Sequence, residues 1–194
     1  MATVLQNAKW LIDNPNFEEC PATIEEFMED GYLELRGGIR PGVVSALKDI
    51  FGTSVNPSRI ALVQESIFSG AIGVGKSTLA SIALPFMVHH TLCLKDPQSF
   101  YGLLPGSRIA AMMMSTSEAQ ARSVIFSDVK GRINNSPWFR NHYPYDPKTT
   151  RQIKFTQKDI WIIPGGSKET SFEGFNILCL DSSTEALTKN GWKK

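Results

Sequence analysis

The sequence lacks three features that would each indicate a particular class of protein. Its 20 Lys and Arg stand against 19 Asp and Glu, so composition gives no electrostatic argument for nucleic acid or an anionic membrane as a partner. Its three cysteines are far apart and form no CxxC pair, which argues against a disulfide framework or zinc knuckle and suits a reducing cytoplasm. The longest apolar run, IAAMMM at 109–114, is too short to cross a bilayer, and no secretion signal begins the chain. We expect a cytoplasmic protein without membrane contact.

Residues 1–60 have a helical pattern. Thr23 and Glu26 have the spacing of a capping box, which predicts a short helix. A second helix is expected to begin near Pro41 and end at Gly52. Its predicted inward face consists of Val44, Leu47 and Phe51.

From about residue 61, short apolar runs alternate with longer helical patterns, which is typical of an α/β fold. We expect a parallel sheet flanked by helices. The predicted strands are 61–70, a buried strand at 108–117, a hairpin at 153–163 that ends at the glycines at 165 and 166, and a strand at 176–181. The predicted helices are 76–92 and a helix that follows the buried strand. Ser115 and Glu118 are expected to cap this second helix, and its predicted inward residues are Ala121, Ile125, Val129 and Ile133.

A glycine-rich loop lies between the first predicted strand and its helix. It matches the pattern GxxxxGK followed by Ser or Thr, and consists of Gly70, Ala71, Ile72, Gly73, Val74, Gly75, Lys76, Ser77 and Thr78. Such glycines let successive backbone N–H groups face inward around an anion, and the helix dipole acts at the same point. Lys76 is expected to reach the β and γ phosphates, and the Ser77 hydroxyl to ligate Mg²⁺. A flexible glycine linker, the alternative, leaves the lysine and serine unexplained. The sequence therefore predicts binding of ATP and Mg²⁺.

The acidic residues that hydrolysis requires are incomplete. An acid on a neighbouring strand holds Mg²⁺, and usually a glutamate beside it orients water. The strand NILCLD ends in Asp181, but Ser182 follows. The glutamate is therefore missing.

The stretch from Trp10 to Leu178 resembles the ATPase domain of the large terminase subunit, the motor that packs DNA into the capsids of tailed phages. The segments KWLIDNPNFEECPATIEEFMEDGYLELRGGIRPGVV at 9–44 and CLKDPQSFYGLLPGSRIAAMMMSTSEAQARSVIFSDVKGRINNSPWF at 93–139 carry the resemblance. It implies that 61–178 is a partial RecA-like P-loop ATPase domain with its Walker A loop at 70–78. It also implies an infected bacterial cell as the location.

The same resemblance implies partners for the complete motor, namely double-stranded DNA, the phage portal and further copies in a ring. Some family members place a charge-stabilising arginine inside the phosphate loop. This loop has Ala71, Ile72 and Val74 at its variable positions, so an arginine finger would have to come from elsewhere, such as a neighbouring subunit. The Walker B motif, the coupling motif after it and the nuclease domain of the family are expected on another chain.

The last 16 residues, 179–194, resemble the first block of an intein. The block CLDSSTEALTKNGWKK begins with Cys179 and contains Thr184 and the hairpin turn Asn190-Gly191. The resemblance implies that Cys179 attacks the carbonyl of Leu178, which makes that bond the splice junction. The activating histidine and terminal asparagine would lie on a second chain, a C-terminal split-intein and terminase fragment. This makes the segment an N-terminal half for splicing in trans, with a β-hairpin-like fold.

Other interpretations of this segment and of one histidine pair stay open. Cys179 is also compatible with simple packing, because cysteine is commonly buried, and Asp181 with a degenerate Walker B acid. With these interpretations the chain would be a truncated terminase or a stand-alone nucleotide-binding regulator, in either case without splicing. The adjacent histidines at 89 and 90 lack a metal-ligand spacing, and we expect them at a solvated helix end.

Overall fold

The computed structural model describes residues 2–35, 37–71, 73–115, 121, 125–145, 151–166 and 175–182. The helices in these residues are α1 Ala2–Asp13, α2 Ile24–Met28, α3 Pro41–Phe51, α4 Lys76–Leu92, α5 Pro97–Phe100, α6 Ser127–Asn135 and α7 Pro137–His142. The strands are β1 Arg108–Ser115, β2 Ile153–Phe155, β3 Ile160–Gly166 and β4 Phe175–Ser182.

The four strands form one mostly parallel sheet in the order β2-β3-β1-β4. β1 pairs in parallel with both β3 and β4, whereas β2 and β3 form an antiparallel hairpin. The prediction of an α/β fold with a parallel sheet flanked by helices is therefore confirmed for the described residues. A RecA-like connectivity stays a prediction. Of the hairpin-like fragment expected at 179–194, residues 179–182 belong to β4 and the rest lies outside the described residues.

The central strand β1 is buried on both of its faces, as its continuous apolar run predicts. Ile109, Ala111 and Met113 point into the main core, while Ala110 and Met112 belong to a small cluster on the opposite face. The helices pack on the main-core side. Among them α4 contacts α2, α3, α6 and β4, so it is the helix around which this side is assembled.

Two local predictions in the first 60 residues are confirmed. The backbone N–H of Thr23 donates to Glu26 Oε2 at 2.8 Å, and the N–H of Glu26 donates to Thr23 Oγ1 at 3.3 Å, which completes the capping box. Helix α3 spans Pro41–Phe51 and is followed by Gly52 with φ 80°. Its buried face includes Val43, however, whereas Val44 is only half-buried.

The strand predicted at 61–70 is wrong. These residues form no regular secondary structure, and Ile67 is 84% exposed. An apolar run becomes a strand only where a sheet edge is available to it. β1 is paired on both sides, by β3 and β4, and among the described residues the segment pairs with neither outer strand, β2 or β4.

Two element boundaries also differ from the prediction. β3 continues through the expected stop at 164–166, because Gly166 still pairs with Ser115 at the end of β1. Helix α6 begins at Ser127, later than the predicted cap at Ser115. Of the expected inward residues, Ala121, Val129 and Ile133 are buried and Ile125 is half-buried. Glu118 of the expected capping box lies outside the described residues.

The side chain of Lys158 joins three parts of the fold. Its Nζ donates to Glu18 Oε1 at 2.5 Å, to the carbonyl of Leu92 at 2.8 Å and to that of Leu94. Tyr143 donates to the same Glu18 oxygen at 2.7 Å. Burial raises the pKa of Glu18, but the hydrogen bonds from Lys158 and Tyr143 outweigh it and lower the pKa. The N-terminal segment, the end of α4 and the β2–β3 hairpin are thereby tied together.

The predicted domain boundaries stay predictions. The main core contains buried side chains from both sides of the 60/61 boundary, such as Leu47 and Leu79. Strand β4 runs across the 178/179 boundary. No helix in the described part of the chain has the length and apolar character needed to cross a membrane.

The expectation that His89 and His90 lie at a solvated helix end is wrong. Both are buried in the last turn of α4. His89 Nε2 accepts the backbone N–H of Ala22 at 3.0 Å, whereas neither ring nitrogen of His90 has a hydrogen-bond partner among the described residues. Burial lowers the pKa of His89 well below its usual value and that of His90 to about 4, an effect that the nearby backbone of Asn56 offsets only in part.

This burial makes the fold sensitive to acid. A histidine in the unfolded chain has a pKa near 6.5, whereas the folded rings stay neutral to lower pH. The free energy of unfolding is therefore at its full value above about pH 6.5 and decreases as the pH falls toward 4. For His90 the loss between pH 7 and pH 5 is on the order of 2 kcal/mol. Urea unfolding followed by circular dichroism at pH 7, 6 and 5 measures it. We expect the free energy of unfolding of His90→Leu to depend less on pH than that of the wild type. His142→Gln changes an exposed histidine and should keep the wild-type dependence. An equal pH dependence in the two variants would contradict the role of His90.

Candidate functional site

The glycine loop leads directly into α4 with a backbone that only glycine adopts easily. Gly73 has φ 87° and Gly75, the N-cap residue of α4, has φ 103°. No side chain caps the first turn of this helix. Since the first N–H groups of a helix have no partner within the helix, they are available to an anion here.

Lys76 folds back over the loop that precedes it. Its Nζ donates to the carbonyl of Gly70 at 2.6 Å and to that of Ala71 at 3.1 Å. The ammonium group therefore stands over the first residues of the loop. A phosphate bound by the loop amides would lie within reach of this charge.

The remaining predicted loop residues lie around the helix start. Ser77 is exposed in the first turn of α4, and Thr78 is half-buried. The Thr78 carbonyl accepts a hydrogen bond from Ser81 Oγ at 2.9 Å. Val74 is 44% exposed, and Ile72 lies outside the described residues. The roles predicted for all of these residues stay predictions.

Asp181 lies near the end of β4, opposite Met113 of β1. Its Oδ2 is buried and has no hydrogen-bond partner among the described residues, and burial raises the pKa of the carboxyl group. Within those residues no hydrogen bond or ion pair joins Asp181 to the loop, and no cluster of three metal-ligating side chains occurs. A buried carboxylate oxygen without a partner fits a hard cation such as Mg²⁺.

Cys179 lies two residues before Asp181, at an irregularity of β4. Ile177 pairs with Ala110 and Cys179 pairs with the next residue, Ala111, so Leu178 is the extra residue of a β-bulge. Cys179 packs against the main core. Burial, with a contribution from Asp181, raises the pKa of its thiol to about 12, against a smaller opposite effect of the Met112 backbone. The thiol is protonated at neutral pH in this conformation. Thr184 of the predicted intein block lies outside the described residues.

Two residues at the start of α3 also contact the loop, and neither was expected from the sequence. Arg40 Nη1 donates to the carbonyl of Gly73. A Cβ added to Gly75 would lie 2.7 Å from Val43 Cγ2, so only glycine fits there. Arg40 and Val43 each lie more than thirty positions before the loop residue that they contact, and no local pattern could predict these contacts.

Comparison with known families agrees with this geometry. The family model described as "Uncharacterized protein MJ0330, N-terminal P-loop domain" matches residues 4–182. No curated protein and no solved structure matches the chain. The family description names a P-loop domain, which indicates nucleotide binding, and names neither a terminase nor an intein. Since the match spans most of the 194 residues, the chain belongs to this family of N-terminal P-loop domains.

Proposed function

We propose that the chain binds ATP with Mg²⁺ through residues 70–78. The observation that carries this proposal is the arrangement of an exposed glycine loop, an uncapped helix start and the Lys76 ammonium group above them. Together they supply backbone N–H donors, the positive end of a helix dipole and a cation. These are the groups that a polyphosphate needs.

The metal would be held by the Ser77 hydroxyl, with Asp181 as the second protein ligand. Both are hard oxygen donors, and the unpartnered buried oxygen of Asp181 is consistent with that role. When bound, Mg²⁺ neutralises charge on the β and γ phosphates. Because Ser182 rather than a glutamate follows Asp181, we expect this chain to bind ATP with little or no turnover.

Replacing Lys76 by Ala removes the cation above the loop. We expect the affinity of the Lys76→Ala variant for a fluorescent ATP analogue with Mg²⁺ to fall at least about tenfold, since hydrogen bonds to charged groups contribute about 1.5–3 kcal/mol. Lys95→Ala, at an exposed lysine after α4, is the matched control and should bind like the wild type. Equal affinities in all three proteins would show that the loop does not hold the nucleotide. A phosphate-release assay checks the expected lack of turnover.

A finer function is proposed from the resemblance of residues 9–44 and 93–139 to the terminase ATPase. In this proposal the chain is the N-terminal part of a DNA-packaging motor. Double-stranded DNA, the portal and further copies in a ring would be partners of the complete motor in an infected bacterial cell. The match to a P-loop domain is compatible with that role and is equally compatible with a stand-alone nucleotide-binding regulator.

Splicing in trans is the second part of this finer proposal, and it is supported by the block at 179–194. The thiolate of Cys179 would attack the Leu178 carbonyl, the peptide C–N bond would break as the thioester forms, and the released amine would take a proton. The Cys179 thiol is protonated while it packs in the sheet. We therefore expect splicing to require that β4 first leaves β1.

Mixing with a chain that carries the remaining intein blocks tests this proposal. The chain alone should stay intact between Leu178 and Cys179, even with hydroxylamine, because the thiol is protonated. With the complementary chain, mass spectrometry should detect a product joined directly at Leu178. Cys179→Ala should give none, and Cys20→Ala, a half-buried cysteine far from the junction in sequence, should ligate normally. Ligation by Cys179→Ala would contradict the intein assignment.

A further inference from the structure

The phosphate loop has little packing of its own. Gly70, Ala71, Gly73 and Val74 are exposed, and a Cβ built on Gly73 would meet nothing within 4 Å. Fixing the backbone of each such residue costs about 1–2 kcal/mol of conformational entropy. An exposed glycine loop therefore keeps one shape only if contacts from other parts of the protein hold it.

The start of α3 supplies a contact at the middle of the loop. Arg40 is the N-cap residue of α3, and its Nη1 donates to the carbonyl of Gly73. The guanidinium group is a rigid, permanently charged donor, so its bond to a carbonyl is charge-assisted. The bond fixes the direction of the Gly73 carbonyl and, through the shared peptide plane, that of the following N–H group.

The same helix also contacts the end of the loop. Val43 is buried, and its Cγ2 lies against Gly75, where an added Cβ would be 2.7 Å away. Leu47 and Phe51 anchor the same face of α3 in the main core. Val43 therefore connects the last loop residue to a part of the protein that is rigidly packed.

We propose that Arg40 and Val43 are positioning residues that hold the phosphate loop in its anion-accepting shape. This inference rests on the proposed function of the loop. Lys76 holds the loop start through Gly70 and Ala71, but that contact has to be exchanged for phosphate when nucleotide binds. The contacts from α3 use the Gly73 carbonyl and the Cα side of Gly75 and leave the loop N–H groups to the phosphate, so they can lower the entropy cost of binding without being displaced.

A positioning role predicts a uniform effect on different ligands. If Arg40 acts only through the Gly73 carbonyl, its removal lowers the affinity for every nucleotide that binds the loop by the same factor. Removal of a residue that touched the γ phosphate would weaken ATP more than ADP. Removal of a residue that touched the base would weaken one of ATP and GTP more than the other.

The test compares Arg40→Ala with Arg40→Lys and with Arg140→Ala, an exposed arginine on α7. Affinities of the full chain for ATP, ADP and GTP analogues with Mg²⁺ are measured by fluorescence, and circular dichroism verifies folding. We expect Arg40→Ala to bind ATP, ADP and GTP each about tenfold more weakly than the wild type does. Lysine can also donate to a carbonyl, so Arg40→Lys should recover part of the loss, and Arg140→Ala should match the wild type.

A second pair of variants tests the other contact. Val43→Ala should lower nucleotide affinity, whereas Val44→Ala, its half-buried neighbour on α3, should not. Normal affinity in both Arg40→Ala and Val43→Ala, with weak binding by Lys76→Ala, would overturn the inference and leave the proposed function standing. A loss confined to ATP or to one base would also overturn it. If Lys76→Ala binds as well as the wild type, the proposed function itself fails.

Discussion

The burial of α4 is the constraint on which the rest of the structure depends. From Leu84 to Leu92 nearly every residue of this helix is buried, and each large apolar side chain removed from water contributes about 1.5–3 kcal/mol. The helix contacts α2, α3, α6 and β4. Its C-terminal end is tied through Lys158 to Glu18 and to the β2–β3 hairpin. Because the last turns are fixed in this way, the exposed first turn, which carries the phosphate loop, is fixed with them.

Strand β4 connects this framework to the two chemistries predicted for the C-terminal part. Asp181, the proposed metal ligand, and Cys179, the proposed nucleophile, lie on the same strand and pair with the same neighbour, β1. In the paired conformation the carboxylate has a buried oxygen ready for a cation, while the thiol is protonated and packed against the core. The sheet conformation therefore favours the metal role and opposes the nucleophilic role. The two proposed roles of β4 are therefore alternatives, because splicing at Leu178 would remove Asp181 together with residues 179–194.

Much of the fold could be predicted from local patterns, but contacts between distant segments could not. The apolar run of β1, the capping box at Thr23 and the glycine loop are local signals, and the structure has a strand, a capped helix and a loop at these places. The strand expected at 61–70 is wrong although β4 has only β1 as a partner among the described residues, because an apolar run does not by itself specify pairing with a sheet. The burial of His90 and the contact of Arg40 with the loop likewise depend on tertiary packing. At the candidate site, the phosphate-binding groups at 70–78 stay a prediction from the sequence, whereas Arg40 and Val43, which contact the loop, were not predicted.

The central claim is that the amides of the loop and of the α4 start bind the phosphates of ATP. Amide hydrogen exchange of the full chain, with and without ATP and Mg²⁺, tests it most directly, because a bound phosphate would accept hydrogen bonds from these N–H groups. We expect slower exchange in peptides that cover 70–78, with smaller protection around Arg40 and Val43, which contact the loop. Unchanged exchange at 70–78 under conditions in which ATP binds would contradict it.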